Sequence, residues 1–445
     1  MDLKELRRLK PELESFLGRY APLFGRPEAQ GHGRRFVQGL LLGGDRRSVE
    51  NIAEAIDGCV VRSLQTFVTN APWSGDALLG ELRQQVADEW GDQEAVVIVD
   101  ETGFPEKGTT SVGVKRQYSG TLGRVENCPV GVFLGYHATK GHTLLDRRLF
   151  VPREWIDDRP RRQAAGVPEG VIFRTKPELA LAMAADAVAS GLPFRWVTGD
   201  SVYGDSPSFC PGIRALEKWY VLDSSADARV WTGRPEVLPP GHKPSRGRAT
   251  TKPKVVTKPV RVDEVAGGLP PSVWRRVTVA RGSQGPLVYE YAQLKVWFSE
   301  EGQPSGPERL LVRRSLGQEP DLKYHRTNAP AEVPLAELAS VRSKRWAIEQ
   351  DVQSGKGECG LDEYETRGWV GGPVSGTGPG EKSPGLTVPE VRAVLVYRLD
   401  RRTWDEAEII RWSDWRRQRN RRAAESHRKR RAKLARRRRK RKPAL

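Results

Sequence analysis

Two short apolar segments that each end in an aspartate place the strongest constraint on how this chain folds. AVVIVD covers residues 95–100, and FRWVTGD covers residues 194–200. Apolar runs of this length predict strands that are buried on both faces of a sheet. Ligands bind at the carboxyl ends of such strands in open α/β sheets, so Asp100 and Asp200 are candidate ligands of a hard cation. Taken alone, each aspartate is also compatible with a helix cap or a turn.

The order of predicted elements around these segments indicates an α/β fold. VGVKRQYS and CPVGVFLGYHA predict two more strands, KPELALAMAADAVASG predicts a helix, and KWYVLDSS predicts the last strand. This βββ-α-β-α-β order is that of an RNase H-like core, a mixed sheet with flanking helices. We predict its first part in residues 91–225, a β-rich insertion in residues 226–330, and a catalytic helix with the end of the core in residues 331–370.

The segment before the core, residues 1–90, is predicted to be helical. RRSVENIAEAI and VVRSLQTFV both carry apolar residues at helical spacing, and Asp57-Gly58 separates them. Two short helices around a tight turn suggest a DNA-binding helix-turn-helix unit. A plain helical bundle is the equally supported alternative.

The C-terminal end of the chain has a biased composition. We predict a flexible Gly/Pro linker in residues 371–386, a helical segment in 387–415 and a disordered basic tail in 416–445. Residues 416–442 hold 17 Lys/Arg and one acid, Glu425, which leaves a charge of only +2 for the rest of a chain whose net charge is +18. Such a tail binds phosphate backbones without reading their sequence. A solvated end or a localisation signal is the alternative.

Composition also excludes several classes of protein. The four cysteines form no CxxC pair and the six histidines are dispersed, so neither a zinc knuckle nor a disulfide framework is expected. No apolar run approaches the roughly 18 residues of a membrane span. The N-terminal residues mix acidic with basic side chains and do not resemble a secretory signal.

A third acidic candidate lies in RSKRWAIEQDVQSGKGECGLDEYE, a predicted helix. On one continuous helix, Arg342, Arg345, Glu349 and Lys356 would share a stripe about 60° wide. Glu349 would then be a metal ligand, and the cations would hold neighbouring phosphates. A solvated face with an (i, i+4) ion pair is the alternative.

Three sequence blocks together carry a resemblance to a known family: VIVDETGFPEKG (97–108), WVTGDSVYG (196–204) and RWAIEQDVQSGKGECGLDEYETR (345–367). The chain resembles bacterial insertion-sequence transposases of the DDE superfamily, in the IS4-like clan and its IS701 branch. That clan has a signature of Tyr, two residues, Arg, three residues, Glu, six residues and Lys. Arg345, Glu349 and Lys356 match this spacing, whereas Arg342 stands at the tyrosine position.

The resemblance implies a function and a set of site residues. Asp100, Asp200 and Glu349 are the implied catalytic metal ligands, and they would hold two Mg²⁺ ions, with Mn²⁺ as a substitute. The implied phosphate contacts are Arg345 and Lys356, and the shared helix stripe adds Arg342 as a candidate DNA contact. Trp274 and Trp297 are candidates for stacking on an unpaired base, although a buried core role is the favoured interpretation of both.

The implied activity is cleavage of DNA at insertion-sequence ends and strand transfer into target DNA. The implied partners are double-stranded DNA and a second copy of the chain, in the bacterial cytoplasm at the nucleoid, with no membrane. One departure weighs against activity: after Trp369 a Gly/Pro-rich segment replaces the apolar helix usual in the family. A degenerate transposase that only binds DNA is therefore the alternative.

Overall fold

The computed structural model describes residues 3–42, 46–70, 72–119, 123–241, 251–282, 285–317, 320–363, 367–369, 381–382 and 429. The predicted linker, C-terminal helical segment and basic tail therefore lie outside the described residues, apart from these last three positions. None of the described helices is long and apolar enough to cross a membrane.

Among the described residues, five α-helices precede the first strand of the main sheet: α1 (Leu3–Tyr20), α2 (Pro27–Leu42), α3 (Val49–Ala55), α4 (Val61–Asn70) and α5 (Gly75–Trp90). Ser48 caps α3 by accepting a hydrogen bond from the backbone N–H of Asn51, which satisfies one of the unpaired donors of a first helical turn. Ile52, Leu64 and Phe67 form the centre of a small apolar core between α2, α3 and α4. Val60, predicted to share the apolar face of α4, precedes that helix and is exposed.

The central part of the chain forms a mixed α/β unit. Its elements are β1 (Val96–Gly103), β2 (Lys115–Ser119), β3 (Arg124–Cys128), β4 (Val130–Ala138), β5 (Gly141–Phe150), α6 (Arg153–Asp157), α7 (Arg159–Ala164), α8 (Lys176–Ala189), β6 (Trp196–Gly199), α9 (Ser201–Gly204), α10 (Phe209–Ala215) and β7 (Trp219–Ser224). Strand β6 lies between β1 and β7 and is parallel to both, whereas β4 is antiparallel to β1 and β5. The predicted mixed sheet with flanking helices is present.

Three strands of the main sheet form an antiparallel meander, and they are not the three successive strands that the sequence predicted. Strands β1, β4 and β5 form it, while β2 pairs with β3 in a separate hairpin. The sequence pattern missed β5 because charged residues interrupt its apolar run. One of them, Asp146, is fully buried and accepts a 2.6 Å hydrogen bond from Arg83.

The segment predicted as an insertion continues the main sheet. Its elements are β8 (Arg229–Trp231), β9 (Val237–Leu238), β10 (Lys254–Val255), β11 (Val260–Arg261), α11 (Val262–Gly267), β12 (Arg275–Gly282), β13 (Gly285–Glu300), β14 (Gln303–Pro304), β15 (Glu308–Arg314) and β16 (Leu322–Thr327). Because β16 pairs antiparallel with β7, the sheet runs from the insertion into the core without a break.

Two helices follow the β-rich segment, α12 (Leu335–Ser343) and α13 (Trp346–Cys359). A short strand, β17 (Glu381–Lys382), pairs with β5. Successive side chains of β1 point to opposite faces of the sheet, so they pack against different helices. Val97 and Val99 pack in the core formed with α5, α8 and α10. Val96 and Ile98 pack on the opposite face, in the core formed with α12 and α13. Asp100 follows the same alternation and therefore lies on the face that α13 covers.

Candidate active site

Asp100 and Asp200 lie side by side on neighbouring strands. The parallel register pairs Ile98 of β1 with Thr198 of β6, so the residues two positions further on, the two aspartates, stand next to each other on the same face. Asp100 lies inside β1, which continues to Gly103, and not at its end as predicted. Asp200 directly follows β6 and caps α9 by accepting a 2.9 Å hydrogen bond from the Val202 N–H.

Burial sets the electrostatic state of this pair. It raises the pKa of Asp100 to about 6, against the opposing charge of Arg345 and with repulsion from Asp200 and Glu101. Burial also raises the pKa of Asp200, and repulsion from Glu101 adds to the effect. Two adjacent carboxylates that resist ionisation are typical of a site in which a bound cation offsets the charge.

Arg345 connects the strand acid to the helix acid. Its Nη1 lies 2.8 Å from Asp100 Oδ2, and its Nη2 lies 2.7 Å from Glu349 Oε1. Burial would lower the pKa of Arg345, but the charges of the surrounding carboxylates outweigh it and raise the pKa; these are Asp100, Glu349, Asp223 and Asp200. Two of these carboxylates contact the guanidinium directly, and the other two act on it only through their charge.

Glu349 and Lys356 are positioned by the packing of α13. The neighbours of Glu349, Ala347 and Ile348, are buried against the sheet, while the Glu349 side chain stays 57% exposed. Lys356 Nζ donates to Thr102 Oγ1 at 2.8 Å and to the Gly103 carbonyl at 3.1 Å. Lys356 thus reaches the end of β1, three residues beyond Asp100.

Arg342 departs from the predicted stripe because the helix is broken. Helix α12 ends at Ser343 and α13 begins at Trp346, so Arg342 and Glu349 belong to different helices. Arg342 forms a two-point ion pair with Asp223 of β7, and His325 Nδ1 lies 2.8 Å from the same carboxylate. Burial would raise the pKa of Asp223, but His325 and Arg342 outweigh it and hold that pKa well below its usual range.

The two candidate stacking residues lie in the insertion. Trp274 is half-buried, packs on the core of the insertion, and has the Arg314 guanidinium 4.0 Å from its ring centre. Trp297 is half-buried within β13, where it pairs with Trp231 of β8. Packing of this kind fits the core alternative noted for both residues.

Sequence reasoning missed two acids near the site, Glu101 and Asp223. Glu101 accepts hydrogen bonds from Lys176 at 2.7 Å and from the Tyr203 hydroxyl at 2.8 Å. Glu101 could have been noticed in the sequence because it directly follows Asp100. Asp223 lies in KWYVLDSS and could have been noticed as a third acid at the end of a predicted strand.

The donor set meets part of the requirement of a divalent metal. Asp100 and Asp200 supply carboxylate oxygens on adjacent rigid strands, which suits a hard cation. The third predicted ligand, Glu349, is engaged by Arg345. Across the described part of the chain, no three His, Cys, Asp or Glu side chains are grouped closely enough to hold a metal. The aspartate pair thus supplies only part of a metal site, and Glu349 would complete the ligands only after releasing Arg345.

Comparison with known proteins agrees with this geometry. The sequence model of one family, described as DDE superfamily endonuclease, matches residues 19–286, which include both aspartates. The chain belongs to the DDE superfamily endonucleases. The match ends before α13, so the family assignment rests on the helical region, the two aspartate strands and part of the insertion.

One curated relative of this chain is described as a probable transposase for insertion sequence element IS701, from Microchaete diplosiphon. It is 30% identical over 199 residues, which cover 44% of this chain and 48% of the relative. The chain thus spans about half the length of the curated relative that it matches. The resemblance to IS701-like DDE transposases is confirmed.

Proposed function

We propose that this chain is a transposase that cuts DNA at the ends of an insertion sequence and joins them to target DNA. The observation that carries the proposal is the placement of Asp100 beside Asp200 on parallel strands, with burial raising the pKa of both. We further propose that the sheet is an RNase H-like catalytic core extended by the β-rich insertion.

Asp100 and Asp200 would hold the divalent cation, and Glu349 would complete its ligands. A bound Mg²⁺ or Mn²⁺ would supply Lewis-acid activation of the attacking oxygen and neutralise charge at the leaving oxygen. The implied pair of ions remains a prediction.

Arg345 and Lys356 are the proposed phosphate contacts at the site. Both cations already lie within hydrogen-bond distance of β1, Arg345 at Asp100 and Lys356 at Thr102. A DNA phosphate that bound Arg345 would compete with its two carboxylate partners and free Glu349. The neighbouring Arg342 would have to leave Asp223 before it could contact DNA, and stacking by Trp274 or Trp297 remains a prediction.

The remaining assignments concern the ends of the chain and its assembly. We propose that helices α3 and α4 recognise the ends of the element and that the basic tail adds affinity that does not depend on sequence. The homodimer and the position at the nucleoid remain predictions from the resemblance.

A degenerate transposase that binds DNA without cutting it is the second candidate. The observation in its favour is the ion pair between Arg345 and Glu349, which engages the third carboxylate that a metal would need. An inactive copy would retain the fold, the aspartate pair and DNA binding.

The test uses the full chain and a duplex carrying the non-coding DNA on both sides of its gene. Binding and nicking are measured with Mg²⁺, Mn²⁺ or EDTA for the wild type, for Asp200→Asn and for Asp157→Asn, which alters an exposed surface aspartate. Metal-dependent nicking that is lost only in Asp200→Asn supports the transposase. Binding without nicking in either metal supports the degenerate copy, and absence of binding overturns both candidates.

A further inference from the structure

Arg47 is a buried residue that links the N-terminal helices to α13. It is 8% exposed although it lies in the connection between α2 and α3. Its Nε donates to the Leu40 carbonyl at 3.1 Å, and its Nη2 donates to the Gly357 carbonyl at 3.2 Å. The second contact joins residues 310 positions apart in the chain.

Both carbonyls belong to the last turn of a helix. Leu40 lies in the final four residues of α2, and Gly357 lies in the final four of α13. Carbonyls in these positions have no partner within their own helix, and they carry the negative end of the helix dipole. One guanidinium therefore caps the C-terminal ends of two helices, one from the N-terminal region and one from the site.

The residues after α13 also contact Arg47, and together they form what is here called the Arg47 socket. Glu363 Oε2 accepts a 2.5 Å hydrogen bond from the Arg47 N–H, and Glu363 Oε1 lies 3.6 Å from Arg47 Nη1. Gly360 has φ +68°, and a Cβ atom there would lie 2.8 Å from Arg47 Cδ. Both conditions favour glycine. The GLDE segment at 360–363, part of the third sequence block, thus has a physical role that metal binding does not explain.

We propose that Arg47 is a positioning residue that couples the DNA-binding helices to the catalytic helix. Arg47 immediately precedes Ser48, the cap of α3, and its guanidinium holds the C-terminal end of the helix that carries Glu349 and Lys356. A shift of α3 and α4 on a DNA end is therefore transmitted to α13. The inference rests on the proposed function, because it takes α3 and α4 as the DNA-binding unit.

Arginine suits this position better than lysine. The planar guanidinium offers donors in several directions at once, and here it reaches two carbonyls and a carboxylate. A lysine at position 47 keeps the charge but reaches fewer of these acceptors. Arg47→Lys therefore separates the geometry of the contact from its charge.

The experiment is hydrogen–deuterium exchange on the full chain, with and without the flanking duplex. It compares the wild type with Arg47→Ala, Arg47→Lys and Glu363→Gln, the last of which removes only the charge of the socket. The control is Arg159→Ala, which breaks an exposed ion pair with Glu169. Thermal unfolding of each variant shows whether it is folded at the temperature of the measurement.

Without DNA, we expect Arg47→Ala to speed exchange in residues 350–363 about tenfold, with smaller effects from Arg47→Lys and Glu363→Gln. The duplex should slow exchange in α13 of the wild type and of Arg159→Ala more than in α13 of Arg47→Ala, where only the direct contacts of Arg345 and Lys356 with DNA remain, while duplex affinity stays within twofold for all. Unchanged exchange in α13 of folded Arg47 variants would overturn the proposal, as would a DNA response in Arg47→Ala that is as large as in the wild type. Neither readout depends on cleavage. A chain that binds the duplex but never cuts it would therefore contradict the proposed function without contradicting the role of Arg47.

Discussion

Arg345 Nη1 lies 2.8 Å from Asp100 Oδ2, so the buried acid of β1 is paired with a cation from the start of α13. This pairing does not fully compensate for burial, because the pKa of Asp100 remains raised to about 6. At neutral pH the site therefore holds ionised carboxylates that the fold does not stabilise well. A divalent metal or a DNA phosphate would each change this balance, the metal at Asp100 and the phosphate at Arg345.

Replacing Asp100 with asparagine should stabilise the metal-free protein. The folded-state pKa lies above the unfolded value of about 3.9, so the stability that this group contributes is present at low pH and is lost as the pH rises through about 6. At pH 7 in EDTA, we expect Asp100→Asn to raise the free energy of unfolding by about 1–3 kcal/mol. Mg²⁺ should raise the melting temperature of the wild type but not that of Asp100→Asn. An equal response to Mg²⁺ in both proteins would argue against a metal at this residue.

Replacing Lys356 with methionine should weaken DNA binding through a single phosphate contact. The slope of log K against log salt should fall by about one, with little change in sequence preference. Lys356→Arg is the matched variant that retains the charge and should keep the wild-type slope. Binding isotherms over a range of salt concentrations measure both. If the slope of Lys356→Met equals that of the wild type, Lys356 only ties α13 to Thr102 and Gly103.

Replacing Gly204 with alanine should distort the turn that holds Asp200. A Cβ atom at Gly204 would lie 1.8 Å from the Asp223 carbonyl oxygen, which is backbone and cannot move aside cheaply. We expect a loss of about 1–3 kcal/mol or more in unfolding free energy, and reduced cleavage. Gly80→Ala is the control, because Gly80 lies in α5 with nothing within 4 Å of its Cβ position. It should stabilise the protein by about 1 kcal/mol, and urea unfolding of both variants checks the contrast.

Stability should fall in mild acid because of His137. Burial lowers the pKa of His137 to about 4, and the charges of Lys344 and His142 add to the effect. The unfolded chain binds the proton more readily than the folded one. The stability that neutral His137 contributes is therefore fully present above about pH 6.5 and is lost as the pH falls toward 4. Chemical unfolding at pH 7 and pH 5 should show a smaller loss for His137→Gln than for the wild type. A loss of the same size in both proteins would assign the acid sensitivity to other groups.

Local patterns in the sequence were sufficient for much of the fold. The apolar runs before Asp100 and Asp200 predicted β1 and β6, and helical spacing predicted α3, α4 and α8. These predictions succeeded because a strand or helix is specified by which of its faces is buried, and the spacing of apolar residues records that directly. Where a buried charge broke the spacing, as at Asp146 in β5, the prediction failed.

The arrangement of the site depended on contacts that no local pattern records. Strand pairing placed Asp100 beside Asp200, and the break before Trp346 turned Arg342 toward Asp223. The Arg47 contact with α13 likewise joins distant segments. The sequence by itself thus determined which acids and cations the chain carries and which elements hold them. Only the tertiary structure decided which of them meet, because strand register and helix packing are settled by the whole core at once.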